Sequence, residues 1–358
     1  LKTIAVLTSG GDAPGMNSVL RSVAKVCAAQ GVHLLGVLDG YEGLIDGRFE
    51  PLTAAEAPFT PRADLELAGG IGGTVLGSAR SKRFLTGEGR AKALRALSGV
   101  DGLIVVGGNG SLTGAHALAT EHGVRVIGIP ASIDNDIGCT ATALGVDTAL
   151  NTIVEACDKV SDTARAHKRA FVVEVMGRQC GYLAMASAVA AGADGVLFRE
   201  QDRTEGELVE ALAQVIRRAY AVPNKRRVLI IKAEGVEVPC TKLVREVEER
   251  LEADRLGIGV RAVVLGHLVR GGRPSFQDRM VAGRFGMAAV MALLGGQTDQ
   301  MVGWGGTSGG GAKTQDPMVR LFPLSRVLEE TQAMIDGSSP VTRWRVEMLR
   351  QLEGVLPL

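Results

Sequence analysis

One three-part unit recurs along this chain: a short apolar run, a glycine-rich turn, then a segment with helical spacing. "KTIAVL" runs into "TSGGDAPGMN" (residues 8–17), and the next stretch places Met16, Val19, Leu20, Val23, Val26 and Cys27 at helical intervals, with Gly31 as a stop. "GLIVV" leads into "GGNGS" and the helix-like "LTGAHALATEHG", and "VRVIGI" ends in "PASIDND". "AFVVEV" ends in "MGRQCG", and "RVLIIKAEG" and "AVVLGHLVRGG" are two further apolar runs ending in glycine. Strands alternating with helices predict an α/β fold of parallel sheets covered on both faces. Ligands of such sheets bind outside the carboxyl ends of the strands, where these glycine turns all fall.

The 358 residues exceed what one core usually serves, so two domains are expected. Residues 146–167 read as one long helix that links them, and residues 305–315, "GGTSGGGAKTQ", read as a loop. A formal net charge of +1 supplies no attraction for nucleic acid or an anionic membrane. The five cysteines lack any CxxC pair, which favours reduced thiols over a disulfide frame or zinc site. No signal-peptide series opens the chain, and the most apolar stretch, "YLAMASAVAAGA", is too short to span a bilayer. The expectation is a cytoplasmic protein.

A glycine turn before a helix lets backbone N–H groups face an anion while the helix's positive end attracts it. "GGDAPGMN" lacks the Lys-Ser/Thr of a P-loop, and in "GGNGS" the third glycine falls at Gly114, one place late for a dinucleotide fingerprint. Together with the cationic "GSARSKRF" (residues 77–84), these turns suit a polyphosphate. In "SIDND", Asp134 and Asp136 stand two apart, which in an extended strand turns both toward one side. A solvated loop and a base beside a metal-orienting acid are equal readings of that pair. Arg169, Arg178, Arg261 and Arg270, with His267 nearby, lie in short loops at strand ends and suit a second phosphate-bearing substrate. Glu234, in "KAEG", offers an acceptor for a sugar hydroxyl.

With these pieces in order, the chain closely resembles the 6-phosphofructokinase family, in motifs that run from about residue 3 to residue 285. "TSGGDAPGMN", "GGTVLGSAR", "GGNGS", "IDND", "VVEVMGRQCG", "AEG" and "VLGHLVRGG" stand in the family's order. The resemblance implies the phosphofructokinase fold, two Rossmann-like parallel-sheet domains facing across an active-site cleft. It implies transfer of the γ-phosphoryl group of ATP, with Mg2+, to the 1-hydroxyl of fructose 6-phosphate. Asp134 would then be the base, Asp136 and Ser132 would assist it, and Arg178 with the Gly11 N–H would stabilise the transferring group. Arg80, Ser81, Gly108, Gly110 and Ser111 match the nucleotide side. Met176, Gly177, Arg178, Glu234, His267 and Arg270 match the sugar-phosphate side, with Ser132 and Asp134 at the reacting hydroxyl. Arg169 and Arg261 match it too, and in the family these two arrive from a neighbouring subunit, which implies a homotetramer.

The expected domains are residues 1–145 with 269–315 for ATP, and residues 146–268 with 316–358 for fructose 6-phosphate. Small neutral residues at Ala131 and Gly110, where pyrophosphate-using relatives carry lysine and aspartate, favour ATP as donor. Asn109 stands where the family usually has a magnesium-holding aspartate; it keeps an oxygen acceptor and loses the charge. A weakly active or regulatory paralogue serving a sister subunit is the rival that this raises, and a nicotinamide-dependent oxidoreductase is a third class. Arg21, Lys25, Arg62, Asp194 and Lys225 fit the family's effector pattern, whereas Ser161 and Pro223 replace cations of it, so a weakened allosteric response is expected.

Overall fold

The computed structural model describes residues 1–177, 179–201, 203–253, 257–305 and 310–352. The chain divides into two compact units, residues 1–148 with 270–333 and residues 149–269 with 334–358. Unit 1 opens with β1 (Thr3–Ser9), α1 (Met16–Ala29), β2 (His33–Val37), α2 (Gly40–Ile45) and β3 (Phe49–Pro51). It continues through α3 (Asp64–Ala68), α4 (Gly87–Ala96), β4 (Gly102–Gly107), α5 (Asn109–His122) and β5 (Val126–Pro130). From α6 (Val146–His167) the chain enters unit 2, with β6 (Ala170–Val175), α7 (Tyr182–Ala191), β7 (Gly195–Leu197), α8 (Glu205–Ala221), β8 (Val228–Ala233), α9 (Cys240–Ala253) and β9 (Val260–Val264). It returns to unit 1 for α10 (Phe276–Leu294), β10 (Gln300–Trp304), β11 (Ala312–Lys313), β12 (Val319–Pro323) and α11 (Leu324–Ile335), then closes with α12 (Pro340–Leu352).

The sheet of unit 1 runs β11-β12-β10-β5-β4-β1-β2-β3, and its central strands β5, β4, β1 and β2 are parallel. β1 and β4 have no polar face because helices cover both sides, and all six residues of β4, "GLIVVG", are buried. Strand order reverses at β1, with β2 on one flank and β4 on the other. The carboxyl ends of β1 and β4 therefore flank a crevice, the usual ligand position of an open α/β sheet. The apolar stripe of α1 is buried as its spacing requires, and Gly31, at φ +68°, lets the chain turn away after it. α1 packs on α10 closely enough that a Cβ at Gly286 would meet the Ser22 Oγ at 2.7 Å.

Three features depart from the sequence reading. The sheet of unit 1 is mixed, because β3, β12 and β11 join its edges antiparallel. Residues 316–333 also belong to unit 1, since β12 pairs with β10 along its whole length and the α11 side chains of Thr331 and Glu330 accept the N–H groups of Gly138 and Cys139. Within the expected loop 305–315, Ala312–Lys313 form β11, while residues 306–309 lie outside the described residues.

Unit 2 carries a four-stranded parallel sheet, β7-β8-β6-β9. Val228 and Ile230 of β8 and Ala170 and Val172 of β6 pack with Leu212 and Ile216 of α8 and Leu243 and Val247 of α9. A capping box between Thr204 and Glu207 starts α8. No helix among the described residues is long and apolar enough to cross a membrane, and the five cysteines are buried and outside any disulfide.

Candidate active site

The crevice beside β1 and β4 in unit 1 opens into a cleft of about 520 Å³. Its lining brings together Gly11, Arg80, Ser81, Gly108, Asn109, Gly110, Ser111, Ser132, Asp134, Asp136 and Arg270, all from the sequence reading. Gly10 turns the chain out of β1 at φ +88°, a left-handed value that favours glycine. A Cβ at Gly11 would meet the Arg270 guanidinium at 2.9 Å, so the missing side chain lets that cation lie against the backbone. Arg270 donates there to the Asp12 carbonyl, at 3.2 Å. At the end of β4 a Cβ on Gly107 would collide with the Ser9 carbonyl at 2.5 Å, so glycine is what allows the two strand ends to converge. The buried Ser111 hydroxyl ties them by donating to the Ser9 carbonyl, at 2.9 Å.

α5 starts at Asn109 behind Gly108, and no side chain caps that end among the described residues. The helix's positive end thus shares one cleft lining with Gly11 and Arg270. In the same lining Tyr41 stacks on Phe84, with ring centroids 3.9 Å apart, and donates its hydroxyl to the Ser111 carbonyl at 2.7 Å. Burial pushes the Tyr41 hydroxyl far above its ordinary range, so it stays a neutral donor. The cleft lining therefore combines an aromatic pair with backbone N–H groups and a guanidinium.

Asp134 and Asp136 both line this cleft, though not by strand alternation. The segment is a turn with Asn135 at φ +51°, and the Asn135 amide pins it by donating to the Ala141 carbonyl and accepting from the Ala143 N–H, each at 3.1 Å. Ser132 donates to Asp136 at 2.8 Å, which orients that carboxylate. Behind the loop the buried Asp278 accepts from the N–H groups of Gly145 and Thr148 at 2.9 and 2.8 Å, fixing the start of α6. Burial holds the Asp278 carboxyl above its ordinary value against those hydrogen bonds.

In unit 2, Met176 and Gly177 follow β6, Glu234 follows β8 and His267 follows β9, all at the carboxyl end of the parallel sheet. Arg169 and Arg261 lie at the opposite end, where β6 and β9 begin, so one chain does not bring them to the same place. Arg178 lies outside the described residues. Among the effector candidates, Arg62 pairs with Glu50 at 2.8 Å and Asp64 at 2.6 Å, and Lys25 pairs with Glu66. A Cβ at Gly69 would meet the Arg21 side chain at 2.8 Å. Lys225 pairs with the buried Asp194, and Arg227 donates to Ser161 at 3.1 Å, bringing a cation to a position that the sequence reading had found without one.

The sequence reading missed Tyr41, Arg90 and Thr113 of the cleft lining, and it took in Lys82 and Phe84 only as part of the cationic stretch 77–84. The lone aromatic inside the glycine-flanked "GYEG" was the signal available for Tyr41. The amide and carboxylate oxygens of the lining belong to Asn109, Asp134 and Asp136. No group of three or more His, Cys, Asp or Glu side chains among the described residues could hold a metal alone. Such a donor set suits a hard divalent cation that arrives with phosphate oxygens.

Fold and cleft together define a class: an α/β protein that presents backbone and cations to a polyphosphate at a strand-order reversal, beside a carboxylate pair. Within that class the family model described as phosphofructokinase matches residues 3–293, and the chain belongs to that family. It is 44% identical over 305 residues to the ATP-dependent 6-phosphofructokinase of Thermotoga neapolitana, covering 84% of this chain and 89% of that protein. It is 40% identical over 306 residues to the ATP-dependent 6-phosphofructokinase 1 of Thermus thermophilus, covering 85% and 89%. The structure of phosphofructokinase from Saccharomyces cerevisiae superposes with a TM-score of 0.79 at 31% identity over 97% of this chain, which spans 50% of the yeast chain.

Proposed function

We propose that the chain transfers the γ-phosphoryl group of ATP to the 1-hydroxyl of fructose 6-phosphate. The observation that carries this is the cleft itself, which sets Asp134, Asp136 and Ser132 in one lining with Gly11, Arg270 and the start of α5. ATP lies with its phosphates on the Gly11 and Gly108–Ser111 backbone and its base toward Tyr41 and Phe84. Asp134 takes the proton of the attacking hydroxyl, and Ser132, through its hydrogen bond to Asp136, keeps that second carboxylate oriented. The Gly11 N–H and Arg178 carry charge that develops on the transferring group. Asn109 and Asp136 are the residues that would hold Mg2+ together with the nucleotide phosphates, where it would supply charge neutralisation. The absence of an acidic side chain at Gly110 supports ATP as the donor.

Met176, Gly177, Glu234, His267 and Arg270 bind the sugar phosphate. Arg169 and Arg261, at the other end of the sheet in unit 2, serve a neighbouring subunit's site, which makes the working form a homotetramer. Asp194, Lys225 and Arg227 in unit 2, and separately Arg21, Lys25 and Arg62 in unit 1, take part in a weakened response to effectors. A glycolytic reaction supports a cytoplasmic location.

Replacing Asp134 by Asn tests the assignment. Loss of a positioned base lowers kcat by roughly 10²–10⁴-fold while KM for either substrate moves little. A kcat within a few-fold of the original would remove Asp134 from the chemistry.

A further inference from the structure

Lys232 is a cation inside an otherwise apolar strand, "VLIIKA", and its side chain is 1% exposed. By the two-residue period of a strand it shares a face with Val228 and Ile230, which belong to the core of unit 2. It pairs in register with Glu174 of β6, and its ammonium donates to the Glu174 carboxylate at 2.7 Å. Its remaining protons go to the carbonyls of Val236, at 2.9 Å, and Ala233, at 3.4 Å. An ammonium has three donors, and these partners occupy all of them.

The two carbonyls bracket Glu234. Ala233 and Val236 are the ends of a turn closed by the Val236 N–H donating to the Ala233 carbonyl at 3.1 Å, with Glu234 and Gly235 between them. The Glu234 N–H is tied to the Val175 carbonyl at 2.8 Å. Glycine at position 235 leaves the turn with a residue of high backbone freedom, and the bonds from Lys232 restrict it from beneath. A buried ion pair is weak ground for stability, since apolar side chains of similar volume generally serve as well. The distinctive effect of this pair is local: it holds one turn in one place.

We infer that Lys232 is a positioning residue for the sugar-phosphate side of the site: anchored on Glu174, it fixes the 233–236 turn and so aims the Glu234 carboxylate. This rests on the assignment of Glu234 to a sugar hydroxyl made above. Lys232 touches no substrate. It limits the orientations open to Glu234 before binding, so its loss appears as weaker binding of the sugar phosphate with the nucleotide unaffected.

The test uses the full chain and two variants. Lys232→Met alone strands the Glu174 carboxylate and can fail to fold, so Lys232→Met/Glu174→Met is made beside it to remove the pair without leaving a charge. Hydrogen-exchange mass spectrometry on peptides spanning residues 233–237 reads the turn without reference to activity, and steady-state kinetics read KM for fructose 6-phosphate and for ATP. In the folded double variant, exchange in that peptide rises at least about tenfold and KM for fructose 6-phosphate rises about tenfold, with KM for ATP within about twofold. Adding Glu234→Gln to the double variant raises that KM no further, because the two changes act on one contact. Exchange and KM both at their original values would overturn the inference. Faster exchange with unchanged KM would also overturn it; if Glu234→Gln alone then leaves KM unchanged too, the fault lies in the assignment of Glu234, and if it raises KM, the fault lies in the role given to Lys232.

Discussion

Gly110→Asp separates what the nucleotide cleft needs from what the fold needs. Gly110 is the second residue of α5, it lines the cleft, and a Cβ built there meets nothing within 4 Å. The backbone therefore accepts the side chain, and a carboxylate in the first turn of a helix adds about 0.3–1 kcal/mol through the helix dipole. Stability holds or rises slightly. For the ligand the sign reverses. A carboxylate ~4–5 Å from a phosphate charge, at an effective dielectric constant of ~20, costs about 4 kcal/mol. Gly110 is exposed, so screening reduces this to roughly 1.5–2.5 kcal/mol, a rise of about 10–100-fold in KM for ATP. Pyrophosphate lacks an α-phosphate and a base, so its use is not suppressed to the same degree. The assay is initial rate against ATP concentration at saturating fructose 6-phosphate and Mg2+, with thermal unfolding run alongside. A folded variant whose KM for ATP stays within about threefold of the original would refute the placement of the nucleotide phosphates over α5.

Asn109→Asp restores a charge beside the phosphates and lowers the Mg2+ concentration for half-maximal rate by about 3–10-fold; an unchanged Mg2+ titration would show that position 109 does not meet the metal. Arg284 pairs with the carboxylate of Asp316 and lies over the Trp304 ring, 4.6 Å from its centroid. The Arg284 guanidinium beside Asp316 holds that carboxyl below its ordinary value, so its stabilisation is present above the ordinary value and is lost as pH falls through the lowered one. Asp316→Asn accordingly lowers stability by about 1–2 kcal/mol near neutral pH, and denaturant titrations show the difference shrinking toward pH 3. A difference independent of pH would contradict the ion pair's role.

Much of this architecture was legible in the residues because it rests on local patterns. The 22-residue α6 is the one long helix its spacing predicts, and "GLIVVG" reads as a strand buried on both faces. The cleft in unit 1 was legible for a different reason: glycines at 11 and 107 exist to let backbone or cation come close, which is a statement about what surrounds them. What was not legible depends on distant partners. β12 ladders onto β10 and β11 onto β12 to extend the sheet of unit 1, and nothing local in "GGGAKTQDPMVRLF" announces that pairing. "SIDND" delivers its two acids through a turn that Asn135 pins with its own side chain, so the right residues came from the wrong geometry. Arg227 reaches Ser161 from 66 positions away, a replacement that position-by-position comparison cannot reveal. Lys232 was visible all along as a lone cation in an apolar run, but its meaning needed the register that sets it against Glu174.

The most direct test of the whole account is production of fructose 1,6-bisphosphate from fructose 6-phosphate by the purified chain, with ATP and Mg2+ in one arm and pyrophosphate and Mg2+ in the other. The account predicts sustained turnover with ATP and none with pyrophosphate. No product from ATP, or product from pyrophosphate alone, would contradict it.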